Sequence, residues 1–254
     1  MELKPSSFYK KAIHYLWLHG WKYHAMERTH RKYVATISGK DRINVVFMAL
    51  DLALWRYQHL YEMMAADKRF KATIVLSPCV LREHQEKDLD RLRQFFNERG
   101  IRYIDFKPGE KPIDIRGELN PDIIFYTQPY EYLLSPEHDC RYFYDKLLCY
   151  IPYAFWTATG KKSYNLHFHN MAWRLYYSTD MHLKDAQDIA TNKGRNVRVV
   201  GYSNADDYLS LSIKMCGTRW PTDGSASASS GHLTIPFGIP LPFLLVPIFF
   251  GWQN

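Results

Sequence analysis

The chain has 254 residues, of which 46% are apolar, 23% charged and 16% aromatic, with a formal net charge of +7. That composition builds a packed core and excludes collagen, coiled coil, disulfide scaffold and intrinsic disorder. Cys79, Cys140, Cys149 and Cys216 form no C-x-x-C pair, so a zinc or redox motif is not indicated and a reducing cytoplasm is the expected setting.

The charge is unevenly spread. Residues 1–42 carry nine Lys/Arg and three Asp/Glu, a net +6, whereas residues 215–254 carry only Arg219 and Asp223. Residues 1–39 read as a basic helical head that starts near Pro5-Ser6-Ser7, with Phe8, Ile13, Leu16, Trp17, Trp21 and Met26 as its apolar stripe. Aromatics beside Lys10, Lys11, Lys22, Arg28, Arg31 and Lys32 suit either a membrane interface or a helix packed on its own domain with a solvated basic face. His14, His19, His24 and His30 are spaced too irregularly to meet on one helical face, so no metal is expected there. No finger, RNP or helix-turn-helix pattern points to nucleic acid.

The body alternates. Apolar runs Ile43–Leu50, Lys71–Leu76, Ile101–Phe106, Asp122–Tyr126, Leu147–Ile151, Leu175–Ser178 and Val197–Val200 read as strands. Helices are expected over Trp55–Lys68, His84–Arg99 (with Leu89, Leu92, Phe95 and Phe96 inward) and Asp180–Ala190. Strands separated by helix-length connections predict an α/β fold with a Rossmann-like parallel sheet and flanking helices, spanning residues 40–209. Ligands on such sheets bind beyond the strands' carboxyl ends. No G-x-G-x-x-G or P-loop follows the first strand, so neither a dinucleotide cofactor nor ATP is expected, and no cofactor is assigned.

Four phrases in order, PDIIFYTQPYEYLLSPEH, LLCYIPYAF, MAWRLYYSTDMHLKDA and NVRVVGYSNADDYL, resemble the CDP-glycerol:poly(glycerophosphate) glycerophosphotransferase family of teichoic-acid and capsule enzymes. The resemblance covers roughly residues 40–209 and corresponds to the N-terminal, acceptor-side lobe of a GT-B fold. It implies transfer of glycerol phosphate from a CDP-activated polyol donor to a lipid-linked polymer acceptor, at the inner face of the cell membrane and near its anionic surface. Family members carry W-H-G-T after the strand that is LLCYI here; this chain has Tyr150-Ile151-Pro152-Tyr153-Ala154-Phe155, so that histidine does not carry over. His167 and His169, in YNLHFHN, are the candidate bases, because a neutral imidazole titrates near working pH. On a strand, H-x-H would put both rings on one face, where a metal needs a third ligand. Gln128, Tyr130 and Tyr153 fall at expected strand ends and are candidate acceptor contacts. Gly201 is expected to form a tight turn.

Beyond Leu209 the pattern stops. Ile235–Trp252 is apolar, but Pro236, Pro240, Pro242 and Pro247 break it as a membrane helix. When each codon is rebuilt from the third base of one residue and the first two of the next, permitted codons from Lys214-Met215 onward allow IIWAPHH. That string resembles the strand opening the family's donor lobe. A frameshift near residues 210–214 is therefore expected, leaving 210–254 as an apolar, Pro-rich, out-of-frame tail and the chain without its donor lobe, inactive alone. The alternatives are a stand-alone Rossmann-like module binding a nucleotide or polyol phosphate, and a membrane-anchored interaction protein.

Overall fold

The computed structural model describes residues 7–77, 79–80, 85–105, 110–154, 161–202 and 205. The chain divides into two compact units, Met1–Val199 and Val200–Asn254. The expectations for the tail lie outside the described residues.

Seven strands form one parallel sheet: β1 (Ile43–Ala49), β2 (Phe70–Leu76), β3 (Tyr103–Ile104), β4 (Ile123–Tyr126), β5 (Leu147–Tyr150), β6 (Arg174–Tyr177) and β7 (Val197–Val199). Their order is β3-β2-β1-β4-β5-β6-β7, and every pairing is parallel. The fold is thus the expected Rossmann-like α/β architecture, with the strand order reversing between β1 and β4. The third strand is shorter than expected, with its pairing to β2 confined to Tyr103 and Ile104 at the sheet edge.

Because both faces are covered, the central strands are continuous apolar runs rather than alternating ones. One face carries Val46, Met48, Ile124, Tyr126, Leu148 and Tyr150, packed with Tyr23 and Phe168 in one cluster. On the other face Phe47 stacks on Phe125, ring centroids 4.9 Å apart, and meets Trp55, Tyr57 and Tyr61; Trp55 in turn meets Phe96. Burying each such ring contributes roughly 1.5–3 kcal/mol.

The helices follow their apolar spacing. In α2 (Gln58–Ala66), Leu60 and Met64 are buried at i, i+4. In α3 (Gln85–Glu98), Leu89, Leu92 and Phe96 are fully buried, while Phe95 lies under the Arg99 guanidinium, 3.7 Å from its ring centroid. Gly100, at φ +63°, takes the left-handed conformation that ends the helix. The head is α1 (Ser7–Ile37). Among residues 21–37, its packed face differs from the expected stripe: Trp21 is 61% exposed, whereas Tyr23, His30 and Ile37 are buried and Met26 is partly so. Tyr23, Met26, His30, Tyr33 and Ile37 recur at steps of three and four, which places them on one side of the helix. Tyr33 donates its hydroxyl to the fully buried Asp122 carboxylate at 2.9 Å, and Lys40 bonds the same oxygen at 2.5 Å. Asn44 N–H supplies a third donor to Asp122, and Lys146 Nζ donates to the Tyr33 hydroxyl. This hub ties α1 to the amino ends of β1 and β4. No helix among the described residues is long and apolar enough to cross a membrane.

Candidate functional site

The carboxyl ends of β4, β5 and β6 open onto a small, partly solvent-open cleft. Three turns shape its rim. After β4, the Gln128 side-chain oxygen accepts from the Tyr130 N–H at 2.5 Å, which turns the chain outward. Gln128 is buried, and Tyr130 is left 44% exposed at the mouth. After β5, the chain runs through Pro152, Tyr153 and Ala154. Tyr57 anchors that stretch from behind: its hydroxyl donates to the Tyr126 carbonyl at 2.6 Å and accepts from the Ile151 N–H at 3.1 Å. After β6, Thr179 caps helix α6 (Asp180–Ile189) by accepting from the His182 N–H, and its hydroxyl also meets His182 Nδ1 at 2.7 Å.

The last wall comes from α4 (Lys161–Tyr164) and α5 (His167–Met171). The H-x-H pair therefore lies on a helix, where residues two apart diverge by about 200°. His169 lines the cleft. His167 instead meets the rings of Tyr23 and Tyr144, with centroids 5.9 and 5.5 Å away. The strand geometry that could have put both imidazoles on one metal is absent. Among the described residues no group of three or more His, Cys, Asp or Glu is placed to hold a metal ion.

Among the described residues the cleft lining includes Tyr130, Tyr150, Tyr164, Tyr177, His169 and His182 and no Asp, Glu, Lys or Arg. Burial pushes the phenols of Tyr130, Tyr150 and Tyr177 up, and that of Tyr164 up to about 12 with a further push from Asp185. They are neutral hydroxyls at neutral pH. Burial pushes His169 down to about 4. Its Nδ1 accepts the Leu166 N–H at 3.2 Å, so in the neutral ring the proton sits on Nε2. His169 is thus a weak base that presents a donor. Among the described residues the lining is uncharged, aromatic and rich in hydroxyls; Tyr130 is exposed at the mouth, while Tyr150, Tyr164, Tyr177, His169 and His182 are buried behind it.

Of the residues expected at the site, Tyr130 and His169 meet in the cleft. Tyr153 stands between the lining residues Pro152 and Ala154, with its carbonyl accepting Arg56 Nε at 3.1 Å. Gln128 is a turn former behind the mouth, and His167 belongs to the α1 interface. Sequence reasoning missed Tyr150, Tyr164, Tyr177 and His182. Tyr150 and Tyr177 are the terminal residues of strands β5 and β6, a position that could have marked them. Gly201 has φ +84°, the conformation expected of its turn.

No protein-family model and no curated protein matches the sequence. Among solved structures, the chain is similar to a Listeria monocytogenes protein assigned as a UDP-N-acetylglucosamine 2-epimerase. Identity there is 16% and the TM-score 0.42, over 64% of this chain and 46% of that one. It is also similar to another UDP-N-acetylglucosamine 2-epimerase, at 12% identity and TM-score 0.40, over 63% of this chain and 48% of that one. The chain spans about half the length of these structures.

Proposed function

We propose that the described lobe is the acceptor-side half of a GT-B enzyme resembling the glycerophosphotransferases, and that its cleft holds the end of a polyol-phosphate polymer. The observation that carries this reading is the cleft's lining: tyrosine hydroxyls and the Nε2–H of His169 on a wall that, among the described residues, carries no charge. Such a wall offers ring faces and hydrogen bonds to the carbon skeleton and hydroxyls of a polyol unit. The ordered phrases from Pro121 to Leu209 support the same reading.

In this reading Tyr130 and Tyr153 position the acceptor and Gln128 sets the loop that carries Tyr130. The acceptor hydroxyl would attack the phosphorus of a CDP-activated polyol, and CMP would leave. Neutralising the charge that builds on the departing CMP is among the largest catalytic terms in such a step, and the described cleft lining does not supply it. A donor-side lobe must do so. Trp21, Lys22, Arg28, Arg31 and Lys32 are exposed on α1 and would meet an anionic membrane carrying the lipid-linked acceptor.

The test is release of CMP from CDP-glycerol with a glycerol-phosphate-primed acceptor. It is run on the 254-residue chain and on the product of a reading frame restored near residues 210–214. Release is expected from the second and not the first. No release from the restored product with CDP-glycerol or any other CDP-polyol would refute the transferase reading, and turnover by the 254-residue chain would refute the need for a donor lobe.

A further inference from the structure

The carboxyl edge of the sheet carries a cation that the cleft lining lacks. Arg56 lies between the one-turn segment Leu52–Leu54 that follows β1 and the start of α2. It is partly buried, its Nε–H donates to the Tyr153 carbonyl at 3.1 Å, and its Nη1 donates to the Trp55 carbonyl at 3.2 Å. A guanidinium has five N–H donors, so these two bonds leave three, including both on Nη2.

No carboxylate among the described residues pairs with Arg56. Arg69, Arg116, Arg141 and Arg93 hold carboxylates, whereas Arg56, like Arg42, Arg174 and Arg198, is bonded to carbonyls; of these four, Arg56 is the one that follows β1 at the carboxyl edge and bonds the loop beside the cleft. Arg56 is fixed by two neutral carbonyls from two loops at the carboxyl edge. Its flanks are fixed as well. Trp55 Nε1 donates to Gln58 at 3.0 Å, and Tyr57 bridges β4 and β5. The guanidinium is pre-oriented at the point where the strand order reverses, and it touches the residue between cleft-lining Pro152 and Ala154.

We propose that Arg56 binds the phosphate of a phosphorylated ligand whose uncharged part occupies the neighbouring cleft. A phosphate oxyanion matches a planar fork with two parallel bonds, and a fork already held in place loses little entropy on binding. The inference rests on reading the carboxyl edge as the ligand face, and it does not require transfer. The phosphate could come from an acceptor's terminal phosphoester or from a donor's diphosphate.

Two probes separate these sources: sn-glycerol 3-phosphate and inorganic pyrophosphate, titrated into the full chain at low salt and followed by calorimetry and by amide chemical shifts. At least one probe is expected to saturate, with shifts at Trp55–Gln58 and Tyr153; the tighter one identifies the source. Arg56→Gln should weaken that binding about tenfold or more. Arg56→Lys should recover part of it, and Arg198→Gln, at an exposed arginine bonded to nearby carbonyls, should change nothing. The proposal is overturned if neither probe saturates, if the shifts fall away from residues 55–58 and 153, or if Arg56→Gln binds within about twofold of the unsubstituted chain. The shift map on the unsubstituted chain decides the matter if Arg56→Gln fails to fold. Because equilibrium binding is read, failure here is distinct from absence of CMP release.

Discussion

The Tyr57 hydroxyl sits 2.6 Å from the Tyr126 carbonyl, and that one oxygen also receives the Ile151 N–H at 3.1 Å. It bridges β4 and the loop after β5 just beyond the last ladder pair, Tyr126 with Tyr150. Tyr57→Phe keeps the ring packing on Phe47 and Phe125 but strands a buried carbonyl and a buried N–H. A loss of about 1–3 kcal/mol is expected in urea unfolding, with an unchanged m-value. No loss would mean that the hydroxyl does not tie the strands.

At the opposite end of the sheet, Asp122 takes Tyr33, Lys40 and the Asn44 N–H on a fully buried carboxylate. Asp122→Ala should cost about 2–4 kcal/mol, because it leaves three donors unsatisfied in a partly buried setting. Lys40 is itself 36% exposed, so Lys40→Met should cost much less. Equal costs for the two would show that the ion pair, rather than the hub, carries the stability.

Most of the fold was legible because the central strands are apolar on both faces. INVVFMA and KATIVL admit few other readings at that length, and the order of the body followed from the alternation. The face of α1 was harder. Its packed residues at steps of three and four include His30 and Tyr33, which a hydrophobic stripe does not count. Trp21 drew the stripe the wrong way. The H-x-H pair was misplaced for a related reason. Phe168 and Met171, three apart and both buried, mark a helix of only five residues, too short for periodicity to declare. Tyr130 was found because it follows a strand, and His169 because it is one of the two histidines nearest the strand after which the resembling family carries W-H-G-T. Arg56 gave no signal, since what marks it is its bond to the Tyr153 carbonyl, from a loop it meets only in the fold.

Burial holds both His30 and His169 down to about 4. An unfolded imidazole protonates near 6.5. For a histidine whose folded value is depressed, the unfolded state binds the extra proton. The stabilisation is therefore complete above about pH 6.5 and is lost as pH falls toward about 4. The two shifts correspond to at most roughly 3 kcal/mol each. The urea midpoint should fall across this window, with His138, also pushed down by burial, adding to the loss. His30→Gln and His169→Gln together should flatten the slope between pH 6.5 and 4. The carboxylates held low by arginine, Asp67 and Asp145, act only below about 3.8 and should leave that part of the profile unchanged. A slope unaffected by the double substitution would contradict the burial argument.

His169 accepts the Leu166 N–H and carries its proton on Nε2, so it is expected to act on a ligand as a donor. His169→Gln, which keeps an acceptor and a donor of similar reach, should preserve ligand binding better than His169→Ala, by about tenfold. In the proposed enzyme with its second lobe restored, kcat should show no ionisation assignable to His169 between pH 5 and 8. An ionisation there that disappears in His169→Gln would make it a base after all.

The central claim is that the uncharged cleft at the ends of β4, β5 and β6 receives a polyol-phosphate chain. The most direct measurement is the binding of a short glycerol-phosphate oligomer to the full chain, followed by side-chain resonances of Tyr130, Tyr164 and His169. The account predicts saturable binding that shifts these resonances, and a loss of about tenfold or more on Tyr130→Ala. An oligomer that fails to bind, or that binds equally well to Tyr130→Ala while leaving His169 unshifted, would contradict it.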